Sequence, residues 1–206
     1  MKYAALLATS LIVLAACGGG ETPAPAAPAA ETPAPAPVAE APAPAAVAAL
    51  TADGWGPVTI GMKKADVIAA LGPDANPDAV GGPDPEACEE FRPANAPDGL
   101  FVMIEAGKVS RISLVDMSPI KTDKGLGLGD TAETVKTAYG DQATASPHKY
   151  QDKPAEYVTV WTGGPRKEPY VQDEAARGLV YEIDGTGKVG MIHAGGPSIQ
   201  YVEGCA

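Results

Sequence analysis

The apolar positions of residues 51–206 follow two periods. Val67, Ala70 and Leu71 stand at i, i+3 and i+4, and so do Val135, Ala138 and Tyr139, the spacing of one helix face. Gly72 and Gly140 follow at once and end both helices. Elsewhere apolar and polar residues alternate, as they do along half-buried strands. Leu100–Glu105 and Val109–Asp116 flank Ala106-Gly107-Lys108 and read as a hairpin. Tyr157–Trp161 stands alone, and Gly178–Asp184 and Lys188–Ala194 flank Gly185-Thr186-Gly187 as a second hairpin. Cys88–Arg92 and His148–Tyr150 are further candidate strands of open register.

The helical segments are related. Ile60–Gly72 aligns without gaps on Leu128–Gly140, matching both glycines, the valine and the second alanine. Asp130 or Thr131 can cap the second helix, with Glu133 near its positive end. Helix followed by hairpin, twice over, predicts an α+β fold of two tandem helix-plus-antiparallel-hairpin repeats, about 51–118 and 119–206, with the helices packed on one face of an antiparallel sheet. About 155 residues suffice for one sizeable core.

Upstream the pattern is different. Lys2 and an apolar run from Ala4 to Ala16, broken only by Thr9 and Ser10, form an export leader too short to span a bilayer. Leu14-Ala15-Ala16-Cys17 resembles the lipobox of bacterial lipoproteins. The resemblance implies removal of residues 1–16, diacylglycerol on the Cys17 thiol and, since Gly18 rather than aspartate follows, delivery to the outer membrane. From Thr22 to Leu50, 22 of 29 residues are alanine or proline, so residues 17–50 read as a lipidated, semi-rigid spacer without a core. The globular domain then occupies 51–206.

Charge narrows the partners. Without the leader, 14 basic residues stand against 26 acidic ones, a net charge of −12. That balance speaks against nucleic acid and anionic lipid headgroups, both of which need clustered Lys and Arg. With Cys17 lipidated, Cys88 and Cys205 remain, an even pair in an oxidising compartment, and they are expected to form a disulfide.

Candidate chemistry is sparse. Only His148 and His193 are available, no Gly-x-Ser-x-Gly or phosphate cradle occurs, and a non-enzymatic protein without cofactor or metal is expected. The loop 74–86 offers Asp74, Asn76 and Asp78 at the first, third and fifth places of a calcium loop. Ala79 and Pro85 then stand where glycine and glutamate belong, so the same residues read as Asx turns. The sheet is the better candidate. If Val102, Ile104, Ile112, Leu114, Val158 and Val160 form the helix-covered side, then Phe101, Met103, Arg111, Ser113, Tyr157, Thr159 and Trp161 share the other, with the aromatic, Met and Arg composition of a recognition surface. The competing reading packs those aromatics beneath the loop 162–177.

The pattern Gly61-Met62-x-x-x-x-Val67-x-x-x-Leu71-Gly72 behind a lipobox resembles the SmpA/OmlA outer-membrane assembly lipoproteins, and its duplication resembles the tandem-repeat β-lactamase inhibitory proteins. The tail Tyr201–Cys205 is similar to that of proteobacterial proteins, some of them labelled lectins. Together these imply an envelope lipoprotein that binds a periplasmic protein or cell-wall polymer. Alternatives are a lectin-like protein using Trp161 and Tyr157 as stacking platforms, a hydrolase inhibitor, or an outer-membrane assembly factor.

Overall fold

The computed structural model describes residues 48–79 and 81–205; the leader, Cys17 and most of the Pro/Ala spacer lie outside the described residues. A small ribbon of β1 (Gly54–Trp55) and β2 (Val58–Thr59) leads into α1 (Lys64–Leu71), and then come β3 (Cys88–Phe91), β4 (Leu100–Glu105) and β5 (Lys108–Leu114). After α2 (Ala132–Tyr139) the chain forms β6 (Ala143–Pro147), β7 (Glu156–Trp161), β8 (Gly178–Ile183) and β9 (Val189–Gly195), and a 3-10 helix at Pro197–Gln200.

The expected architecture of two helix-plus-hairpin repeats under a helical layer is not what forms. β3 to β9 make one seven-stranded antiparallel sheet in the order β3-β4-β5-β9-β8-β7-β6, and the fold is mostly sheet. The two halves meet at β5 and β9, where Ile112 pairs with Ala194 and Ser113 with His193. Two separate hairpin sheets would have left four exposed edges, and this merger removes two of them. Nor do helices cover the sheet. Each has eight residues, and together they bury only Val67, Leu71 and Val135. The β1–β2 ribbon, through Trp55 and Val58, and irregular segments, through Leu50, Ile120 and Leu126, supply the rest of that layer.

The duplication survives as local hydrogen bonding. Gly61 N–H donates to Val109 O and Lys64 N–H to Gly107 O, and in the second half Gly129 N–H donates to Val189 O and Ala132 N–H to Gly187 O. Thr131 caps α2 by accepting from Thr134 N–H, whereas α1 has no side-chain cap. The first hairpin closes through Ala106 and Gly107 at φ 47° and 75°, the left-handed pair that a two-residue turn requires. Of the segments with open register, Cys88–Phe91 is a strand, while His148–Tyr150 follows the end of β6.

Alternation sorts the sheet into two faces. Val102, Ile104, Ile112, Leu114, Val158, Tyr181, Ile183, Ile192 and Ala194 enter the main core. Within it Tyr139 and Tyr181 share a hydroxyl–hydroxyl hydrogen bond of 2.8 Å, so the largest wholly buried side chain keeps a polar partner.

Candidate functional site

The opposite face has its own cover. The segment 162–177, between β7 and β8, folds back so that Val171 and Ala176 pack with Trp161, Val180 and Ile199 in a second cluster. The C-terminal segment lies beside it, and Gln200 clamps the two together: its amide donates to Val171 O and its carbonyl oxygen accepts from Val171 N–H, both at 2.9 Å. Arg111, on β5, holds the same segment from below by donating to Ser198 O at 3.3 Å and Tyr201 O at 2.9 Å. Burial pulls the Arg111 pKa down, while the carboxylates of Glu90, Glu105 and Glu182 act in the other direction. Cys88 and Cys205 are joined, as expected, which ties the end of the chain to β3. Gly82 admits this closure, since a Cβ there would lie 2.3 Å from Cys205 O.

Between these two walls and the strands β6 and β7 lies a cleft of about 570 Å³. Thr144, Ser146, Tyr157, Thr159, Glu182 and His193 line it from the sheet, Arg166, Lys167 and Tyr170 from the loop, and Tyr201 and Val202 from the tail. Glu182 accepts from His148 Nε2–H at 3.1 Å, while His148 Nδ1 accepts from Tyr150 N–H at 3.0 Å, so the ring is the Nε2–H tautomer. The His148 ring stacks on Tyr157 with centroids 4.7 Å apart and so covers one face of that tyrosine. The second oxygen of Glu182 stands 4.0 Å from His193 Nε2, leaving both atoms without a bond to each other.

No protein-family model, curated protein or solved structure matches this chain. The site is therefore read from its geometry alone.

That geometry divides the sequence candidates. Tyr157, Thr159 and Trp161 line the cleft, whereas Phe101, Met103 and Arg111 lie outside it and are buried. Phe101 sits under the Arg92 guanidinium, 5.0 Å from the ring centre. Trp161 is only 5% exposed and belongs to the second cluster, so it offers no stacking platform. His193 enters the sequence candidates only as one of two available histidines and Glu182 not at all, although the strand alternation that places Leu179, Tyr181 and Ile183 inward also places Val180 and Glu182 on this face. Nothing in the sequence singled out Arg166, Lys167 or Tyr170.

Ser113 Oγ and His193 Nδ1 share a hydrogen bond of 2.9 Å, with Glu182 beyond the ring. This is not a nucleophile and base. Ser113 is wholly buried and does not line the cleft, so no substrate carbonyl reaches its oxygen. In the loop 74–86, Asp74 Oδ1 accepts from Asn76 N–H and Arg92 N–H, and Asp84 Oδ1 from Glu86 N–H and Ala87 N–H, so both carboxylates close Asx turns. Among the described residues no three His, Cys, Asp or Glu side chains converge as a metal site would require. No helix among them is long and apolar enough to cross a membrane.

His193 makes stability depend on pH. Burial, and secondly the Arg111 charge, hold its pKa well below the ordinary histidine value. Above that ordinary value both native and unfolded chains are neutral here. Below it the unfolded chain gains a proton that the native state refuses, so this contribution to stability is lost as pH falls. Between pH 7.5 and 5.5 the loss from one such group reaches at most about 1.4 kcal/mol. Urea unfolding at the two values should show it, and His193→Gln should remove that part of the difference. An equal acid loss in the variant would rule out His193 as its source.

Proposed function

We propose that this chain is a lipid-anchored envelope protein whose folded head is a non-enzymatic binding module, and that the cleft beside β6 and β7 is where it takes a periplasmic protein or cell-wall polymer. The observation that carries this reading is the construction of the cleft walls. A disulfide, the Gln200 amide pair and the Arg111 guanidinium hold two irregular segments in fixed positions around an open space. Fixing the walls beforehand lowers the ordering cost of binding. The resemblance of Leu14-Ala15-Ala16-Cys17 to a lipobox supports delivery to the outer membrane, and the Pro/Ala-rich composition of residues 17–50 suits a spacer between an anchor and the head. A second reading, saccharide binding, draws on the 4.0 Å gap between Glu182 and His193, which suits one bridging hydroxyl.

Photocrosslinking in cells tests the proposal. A photoreactive residue at Thr144, in the full chain, should give a discrete envelope adduct, whereas one at Ile68, exposed on α1, should not. Cys17→Ser should deplete the adduct by releasing the protein from the membrane. A protein adduct supports the main reading and a glycan adduct the second. Equal labelling from both positions, or none from Thr144, would overturn the cleft as the contact site.

A further inference from the structure

Strand register lays out the floor of the cleft. Thr144 pairs with Thr159, Thr159 with Val180 and Val180 with His193, while Ser146, Tyr157 and Glu182 form the next row. Their side chains therefore stand side by side on one face of four strands. The hydroxyls of Thr144, Ser146 and Thr159 line the cleft and make no hydrogen bond among the described residues. Each can donate or accept.

Buried partners fix which atoms of Glu182 and His193 meet a ligand. Glu182 Oε1 accepts from His148 Nε2–H, which leaves Oε2 facing His193 Nε2 at 4.0 Å. Ser113 is wholly buried, and His193 Nδ1 is the one partner of its hydroxyl among the described residues. A buried O–H without an acceptor is costly, so Ser113 donates to Nδ1 and His193 carries its proton on Nε2. The His193 side chain is 9% exposed and lines the cleft, where it directs a donor without a partner alongside an acceptor without one.

That pair is selective. One oxygen about 2.8 Å from each atom can accept from Nε2–H and donate to Oε2, and a hydroxyl does both. A carboxylate or phosphodiester only accepts and is set against Glu182, while an ammonium only donates and is set against the imidazole N–H. A trans peptide group points its N–H and C=O in opposite directions and cannot reach both. Nor do the walls favour an ion. Lys149, Arg166 and Lys167 stand against Glu168, Glu182 and Glu203, the last paired with Lys149 at 3.0 Å. We infer that the cleft receives an uncharged saccharide, with one hydroxyl seated between Glu182 and His193, others over Thr144 and Thr159, and its apolar face against the half-exposed ring of Tyr170. This rests on saccharide binding at the cleft, and it names the class of sugar and the groups that hold it. Tyr170, Tyr201 and Val202 also line a neighbouring cleft of about 490 Å³, so a chain of several rings has room to continue past them.

The test uses the full chain in detergent and an array that carries uncharged hexose oligosaccharides beside uronic-acid and free-amino counterparts. The uncharged sugars should be retained at least about tenfold more tightly than either counterpart. Glu182→Gln should cost about tenfold in that affinity with an unchanged thermal midpoint, and Tyr170→Ala about fivefold. Ser113→Ala frees the His193 tautomer and should narrow the margin against the amino sugars. Nitrogen-15 spectra of the unaltered chain read the tautomer directly and decide if that variant misfolds. A proton on His193 Nδ1, or a preference for either charged set, would overturn the assignment. If the array retains nothing while a photoreactive residue at Thr144 captures a protein, this occupant falls and the cleft stands as the contact site.

Discussion

Replacing Cys88 and Cys205 together by alanine should lower the unfolding free energy by about 4–5 kcal/mol, the chain-entropy contribution of so long a loop. The bridge spans 117 positions and joins β3, at one edge of the sheet, to the last structured turn of the chain. Without it the unfolded ensemble regains the freedom that the closed loop removes, while the native sheet keeps its ladder. Urea unfolding with the disulfide intact, and again with the double alanine variant, measures the difference. The native state should change as well. Tyr201 and Val202 form one wall of the cleft, and losing the bridge leaves Arg111 and Gln200 as their main restraints. Amide exchange should therefore rise first in residues 196–205. A loss below about 1 kcal/mol with unchanged exchange in the tail would show that the other contacts suffice.

Arg111→Ala should cost about 3 kcal/mol. The guanidinium is 2% exposed and donates to two backbone carbonyls of the tail, so truncation leaves both acceptors without their donor and opens a void beneath them. Glu90, Glu105 and Glu182 also lose the positive charge that faces them. Arg111→Lys keeps charge without the forked donor and should recover only part of the loss. A second readout separates this role from simple packing. The Arg111 charge is one of the two causes that hold the His193 pKa down, so its removal should shrink the stability difference between pH 7.5 and 5.5. An unchanged acid difference would mean that burial alone governs His193.

Much of the local structure was legible. The i, i+3, i+4 spacing placed α1 and α2, and Ala106-Gly107 placed the first turn, because a helix face and a tight turn are decided within a few residues. Period-2 alternation also sorted Ile112 and Leu114 from Arg111 and Ser113, since strand side chains must point to opposite faces. The same alternation misled the reading of the site. It identified a face opposite the main core, but Phe101, Met103 and Arg111 on that face are buried in the fold rather than open to a partner. An alternating strand cannot show whether its second face meets water or another segment of its own chain.

By itself, then, the sequence determined the two helices, the two hairpins and the strand before the second of them, the internal match of Ile60–Gly72 with Leu128–Gly140 and the even cysteine pair, while β1, β2 and β6 carry no alternation long enough to mark them. Only the tertiary structure decided that the hairpins join at β5 and β9, that Gln200 clamps the tail to the loop 162–177, and that Glu182 and His193 share a cleft with Thr144, with β6 the outermost strand of the sheet among the described residues. The division follows the range of the forces. Turns, caps and periodic faces are settled by neighbours a few residues apart, whereas Ser113 and His193 meet across 80 positions through burial, which acts on any apolar surface without regard to its place in the chain.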